Sequence, residues 1–211
     1  MSVALFSSIA PRIIIPGFFM GGKISTMTDP GEIFQTIAFS AFFVTAVITL
    51  FQGKIPWLSI IPSIAAVSYW YMMKDSANRD FYRYSDWVLT TPLMLVGILT
   101  ATKAPIEILI GSVVCDLLMI GSGYKGVQEK DANAKFAWFM AGMVFFLPIL
   151  WILLQQKTYK TAVYLTLALW SLYPIVYYAE EVKAIDTTTT IVSYSIMDMI
   201  AKIGLVNLLH V

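Results

Sequence analysis

The chain has 211 residues, 58% of them hydrophobic and 13% charged, with a formal net charge of +1. An ordinary soluble domain is about 45–50% apolar and about 25% charged, so this is the composition of an integral membrane protein, and it gives no reason to expect nucleic acid or an acidic partner. A single cysteine, Cys115, and a single histidine, His210, exclude an internal disulfide, a zinc site and a cysteine–histidine nucleophile, and with them most hydrolytic and metal chemistry.

Residues 1–30 hold an apolar run broken by Pro11, Arg12 and Pro16, followed by GGKISTMTDPG. The run is too short for a span, which needs about 20 apolar residues, and it lacks both a basic leader and an A-x-A site. It reads as an N-terminal extracellular or interfacial segment, with processing as the alternative. From Gly31 seven apolar blocks follow, at about 31–51, 56–74, 82–101, 105–124, 135–156, 159–179 and 188–209. Each can cross a hydrocarbon layer of about 30 Å at about 1.5 Å per residue. The connections, QGKIP, KDSANRDF, ATKAP, KGVQEKDANA, QQKTYK and EEVKAIDTT, are short enough to force neighbouring helices antiparallel. The predicted fold is an all-α membrane protein, with one seven-transmembrane-helix bundle over residues 31–211.

Ionisable residues inside the blocks carry the chemistry, because a charge at mid-membrane costs about 2.5–3.5 kcal/mol or more and marks a functional site by default. In the last block Asp198 and Lys202 are four apart and share a helix face; a structural ion pair is the bland alternative. In the third block, RYSDWVLTTPLMLVGI, Arg83 and Asp86 are three apart. Two cations and two anions together make a neutral, tolerable cluster. Thr90 can turn its hydroxyl onto Asp86 or back onto its own helix, Thr91 faces elsewhere, and Pro92 invites a bend. The sixth block, WSLYPIVYY, places Trp170, Tyr173 and Tyr177 at helical spacing, as a packing stripe or as the wall of a cofactor site. A lysine in a dry site is easier to keep if its amine is consumed as an imine, which then needs a carboxylate counterion.

RYSDWVLTTPL, the Asp198-x-x-x-Lys202 pair and the Trp170-x-x-Tyr173-Pro174 motif identify what the chain resembles: it is similar to the microbial (type 1) rhodopsins, over nearly its whole length from the first span to the last. The resemblance implies a seven-helix protein carrying all-trans retinal as a protonated Schiff base on Lys202. It implies Asp86 as primary counterion and proton acceptor, hydrogen-bonded by Thr90, with Asp198 as second counterion bonded by Tyr69 and Arg83 as a charge relay. Trp87, Thr91, Met119, Trp170, Tyr173, Pro174 and Tyr177 would line the chromophore, and Asp116 would pair with Thr91 beside its ring. The apolar Met94 at the colour-tuning position implies green absorption.

The departures bear on function. Gly97 stands where a pump of this kind usually keeps a carboxylic proton donor, giving a D-T-G motif at Asp86, Thr90 and Gly97. Tyr177 replaces a frequent tryptophan, and the histidine that partners the acceptor in many proteorhodopsins has no counterpart. The chain therefore looks like a proteorhodopsin-like or viral rhodopsin. Counting Lys and Arg alone, Lys54, Lys103, Lys157 and Lys160 on one side against Arg12, Lys23, Lys74, Arg79, Lys125, Lys130, Lys135 and Lys183 on the other, the positive-inside rule favours a cytoplasmic N-terminus. The resemblance implies the reverse, N-terminus outside and C-terminus cytoplasmic, and that is the expected topology in a cell membrane.

The expected function is a light-driven outward proton pump, not an enzyme, reprotonated from cytoplasmic water with Glu107 at the helix edge as a guide. A light-gated cation channel, drawing on Ser40, Thr45, Ser193, Ser195 and Asn207, and a sensory photoreceptor are the alternatives. Glu180 and Glu181 read as a solvated loop edge rather than a proton-release group, and Asn207 as a packing residue rather than an inner gate. The expected partners are the lipid bilayer, protons and further copies in a homo-oligomer, a pentamer or trimer.

Overall fold

The computed structural model describes residues 29–52 and 59–209, so the predicted N-terminal segment lies outside the described residues, as does His210. The described residues form seven helices: α1 Pro30–Gln52, α2 Ile60–Lys74, α3 Arg79–Ala101, α4 Ile106–Gln128, α5 Ala132–Leu154, α6 Lys160–Glu181 and α7 Thr187–Leu209. Each packs on the next and α7 returns to α1, closing the bundle. α1, α4, α5, α6 and α7 are long and apolar enough to cross a membrane, and their outward faces expose Phe43, Phe51, Val144, Leu147 and Trp151, as lipid contact requires.

α2 and α3 depart from the uniform spans that hydropathy predicts. The described part of α2 is 15 residues, and the preceding residues 53–58 are not described. α3 starts at Arg79 rather than 82, adding Arg79 and Asp80 to the Arg83 and Asp86 already expected in it, so its length is sufficient and its apolarity is not. α5 likewise starts at Ala132 rather than 135, because Asp131 caps it by accepting from the main-chain N–H of Ala134 at 2.9 Å.

Helix ends are set by local chemistry. α3 and α6 both stop on a lysine in the left-handed region, Lys103 (φ 57°) and Lys183 (φ 60°). In each case the next residue's N–H reaches back five residues: Ala104 to the Leu99 carbonyl and Ala184 to the Ala179 carbonyl, both at 2.8 Å. α3 passes through Pro92 without a break, and the hydroxyls of Thr90 and Thr91 return to the carbonyls of Asp86 and Trp87 at 2.9 and 2.7 Å.

Within α7, residues Met199–Ile203 form a π-helical turn with Lys202 in it. One extra residue per turn re-aims the side chains that follow, a distortion found mostly at functional sites. Beyond Lys202, towards the rim where α3 ends, Leu95, Ile98, Leu99, Leu153, Val163 and Leu205 are fully buried and pack into an apolar seal.

Asp186 caps α7 outside the span. Accepting hydrogen bonds at Thr189, main-chain N–H included (2.7 Å), holds its carboxyl below the ordinary carboxylate range. A folded-state value below the unfolded one means that the contribution is complete above about pH 4 and disappears as pH falls through the folded value. Asp186→Ala is therefore expected to lower the Tm of the purified protein by about 2 °C at pH 7, with the gap closing towards pH 3 in thermal scans.

Candidate functional site

α3 and α7 bring Lys202, Asp86 and Asp198 together in the middle of the bundle, at 2%, 0% and 1% exposure. The Lys202 ammonium donates to Asp86 Oδ2 and lies 3.4 Å from Asp198 Oδ2. Asp198 is further held from two other helices: Tyr69 on α2 donates to its Oδ2 at 3.1 Å and Tyr173 on α6 to its Oδ1 at 2.5 Å. The two carboxylates are thus unlike. Both oxygens of Asp198 have phenolic donors, whereas Asp86 Oδ1 is buried without a hydrogen-bond partner.

Two residues sit differently from the sequence expectation. Thr90 donates to the Asp86 main-chain carbonyl at 2.9 Å rather than to the carboxylate alone, because a threonine four residues on in a helix finds that carbonyl first, and its hydroxyl also stands beside the Asp86 carboxyl group. Arg83, expected in a four-charge cluster with Asp86, Asp198 and Lys202, instead donates to Asp80 Oδ1 at 2.7 Å and lays its guanidinium 4.7 Å from the centre of the Tyr194 ring. Side chains on a helix lean towards its N-terminus, and Asp80 lies one turn in that direction.

The Lys202 amine opens into an apolar cavity of about 130 Å³. Trp87, Thr91, Met119, Trp170, Tyr173, Pro174 and Tyr177 line it, with Met94 and, unforeseen in the sequence, Trp138, Phe139, Gly142, Met143 and Phe146 of α5. α5 is apolar on every side, so no periodicity tells its inward face from its lipid face. Asp116 is buried against the cavity wall, where it accepts from Thr91 at 2.7 Å. A second, polar cavity of about 220 Å³ lies on the side of α3's N-terminus, walled by Asp80, Arg83, Lys135, Glu180 and Glu181. Tyr84, Trp87, Tyr177 and Tyr194 line both spaces and form the partition between them. Glu181 is not simply solvated, since both its oxygens accept from Lys135 at 2.9 Å.

The polar residues considered for a conduction path are scattered. Ser40, Thr45 and Asn207 return their donors to the carbonyls of Thr36, Ala41 and Ile203, and Ser40 and Asn207 are exposed on the outside of the bundle. Glu107 is also exposed, in the first turn of α4, and Gly97 is buried in α3.

Removing the ammonium leaves two buried carboxylates facing each other. Lys202→Met is expected to destabilise the ligand-free protein by about 3 kcal/mol, and adding Asp86→Asn to recover most of that loss, in denaturant or thermal unfolding in detergent. Equal stability of the single and double variants would show that the trio is not electrostatically coupled.

The family model described as bacteriorhodopsin-like protein matches residues 24–211. Among curated proteins the chain is similar to a bacteriorhodopsin-II-like protein of Haloquadratum walsbyi, 29% identical over 175 residues covering 69% of this chain and 71% of the relative. It is also similar to archaerhodopsin-2 of Halobacterium sp. (strain aus-2), 27% identical over 173 residues, covering 69% of this chain and 66% of that protein's length. Among solved structures, a light-driven proton pump from Leptosphaeria maculans superposes with a TM-score of 0.79 at 20% identity, over 88% of this chain and 94% of that one. With the family model matching almost the whole seven-helix bundle, the chain belongs to the bacteriorhodopsin-like family.

Proposed function

We propose that the protein is a light-driven outward proton pump that binds all-trans retinal through Lys202. The observation that carries this reading is a fully desolvated amine facing two carboxylates at the end of an apolar cavity. The cavity fits a long, flat apolar aldehyde. Two indoles, Trp87 and Trp170, are buried in its walls, and Met119, Tyr173 and Phe146 line it with them, so its surface is apolar and largely aromatic. The names of the relatives point the same way: bacteriorhodopsin-like, archaerhodopsin and, for one solved structure, light-driven proton pump.

When bound, retinal supplies light absorption and an isomerisation that changes the proton affinity and direction of the nitrogen on Lys202. Asp86 is the proposed acceptor because its Oδ1 has unused lone pairs, whereas both Asp198 oxygens are engaged. Asp198, held by Tyr69 and Tyr173, stays in place as the fixed counter-charge. Tyr84, Trp87, Tyr177 and Tyr194 separate this site from the polar cavity through which the proton leaves past Arg83. The seal of Leu95, Ile98, Leu99 and Leu205 keeps water away from the opposite side, which a pump needs and an open channel does not have. Each charge moved works against about 2.3 kcal/mol per 100 mV. With Gly97 in α3 and Glu107 exposed on α4, no carboxylic acid is buried in that seal among the described residues, so Lys202 is reloaded from water on the cytoplasmic side.

Cells supplied with retinal are expected to acidify their medium on illumination, with the signal abolished by a protonophore and absent in Asp86→Asn. A photocurrent that reverses sign with voltage would instead identify a channel, and colour without acidification a sensor. Because no side chain buffers the return proton, recovery of the visible band should slow about tenfold per pH unit above neutrality. A pH-independent recovery would reveal an internal donor.

A further inference from the structure

Arg83 is 8% exposed, yet among the described residues it makes no ion pair with Asp86 or Asp198. It sits three residues before Asp86 and three after Asp80, so its long side chain has carboxylates in reach in two directions. Outward lies Asp80, which accepts at 2.7 Å with its side chain 54% exposed; inward lie Asp86 and Asp198, buried with Lys202. The other outward carboxylates do not make this contact. Glu181 holds Lys135 from both oxygens, and Glu180 forms no ion pair among the described residues. The Tyr194 ring supports the guanidinium in the outward position.

We propose that Asp80 is a positioning residue for the proton acceptor: it holds the Arg83 guanidinium at the outer cavity and so withholds from Asp86 a cation that would otherwise share its charge. The inference rests on the function proposed above and adds a device to it. A cation within about 4–6 Å of an acid lowers the pH at which that acid takes up a proton by about 1–3 units. With Arg83 outward, Asp86 faces the Lys202 nitrogen, Asp198, the Thr90 hydroxyl and the phenols of Tyr69 and Tyr173, and Lys202 is the one cation among them. On the outer side Arg83 faces Asp80 and Arg79 of its own helix, Lys135 of α5, Tyr177, Glu180 and Glu181 of α6, and Tyr194 of α7, with Asp29 and Glu32 of the α1 end acting on Arg79. Of these, Asp80 alone bonds the guanidinium. Neutralising Asp80 leaves the inward carboxylates as the stronger partners, and a side chain with two discrete positions shifts to the one with the better contact.

The test is a pH titration of the visible absorption band of the retinal-loaded protein, whose acid-induced shift reports proton uptake by Asp86. Asp80→Asn is expected to lower the midpoint by about one pH unit, and Asp80→Glu to leave it near that of the unsubstituted protein. Glu180→Gln, which removes a carboxylate from the same cavity without touching Arg83, should move it far less. In an Arg83→Gln background Asp80→Asn should have no further effect, since its action runs through that guanidinium. Equal shifts for Asp80→Asn and Glu180→Gln, an Asp80→Asn shift that survives in Arg83→Gln, or no shift at all would overturn the proposal. Should Arg83→Gln yield no coloured protein, the comparison of Asp80→Asn with Glu180→Gln decides alone. An unsubstituted protein that never colours would overturn the function itself and this inference with it, whereas a band with an unmoved midpoint overturns only the role of Asp80.

Discussion

The structure is organised around one ammonium taken out of water between two carboxylates. A buried cation is tolerable only if oppositely charged partners stand close to it, and breaking such a group costs about 3–5 kcal/mol. Meeting those terms involves four helices: Asp86 comes from α3, Asp198 and Lys202 from α7, Tyr69 from α2 and Tyr173 from α6. The π turn at Met199–Ile203 belongs to the same solution, since it aims the amine at Asp86 while keeping Asp198 within 3.4 Å.

The two directions leading away from this group are built from opposite materials. On one side aromatic rings give way to a polar cavity with acidic and basic side chains, and on the other, among the described residues, aliphatic side chains such as Leu95, Ile98, Leu99 and Leu205 are packed without exposure. A group that changes its proton affinity between such surroundings has an easy exit and a slow refill. This asymmetry supports vectorial transport more than a continuous conducting path. It also explains why Arg83 matters: it stands at the partition, and where its charge rests decides how strongly Asp86 holds a proton.

Much of the fold was legible because the membrane imposes a coarse code. Apolar blocks of about 20 residues and short polar connections gave seven helices, and the lipid solvent left few other solutions. The edges were less legible where polar residues continue a helix, as with Arg79–Phe81 at the start of α3, which hydropathy assigns to a loop. In the site, the spacing of Asp198 and Lys202 is visible in one dimension because both lie on one helix face. The Tyr173 bond to Asp198 crosses from α6 to α7 and has no local signal; the aromatic stripe announced a wall but not a donor. The pairing of Arg83 was open to either carboxylate by spacing alone, since Asp80 and Asp86 are equally distant in sequence. The choice was made by the outward lean of helical side chains and by the Tyr194 ring. The inward face of α5, apolar all round, could be identified only once Gly142 was seen against α4 and Phe146 in the cavity wall.

Membership in the bacteriorhodopsin-like family fixes the architecture, and the chemistry then depends on whether the Lys202 nitrogen holds a chromophore. The most direct measurement is the visible spectrum of the purified protein after addition of all-trans retinal, beside that of Lys202→Ala treated identically. The account predicts a visible band in the first and none in the second. A colourless unsubstituted protein, or a band that survives the loss of the amine, would contradict it.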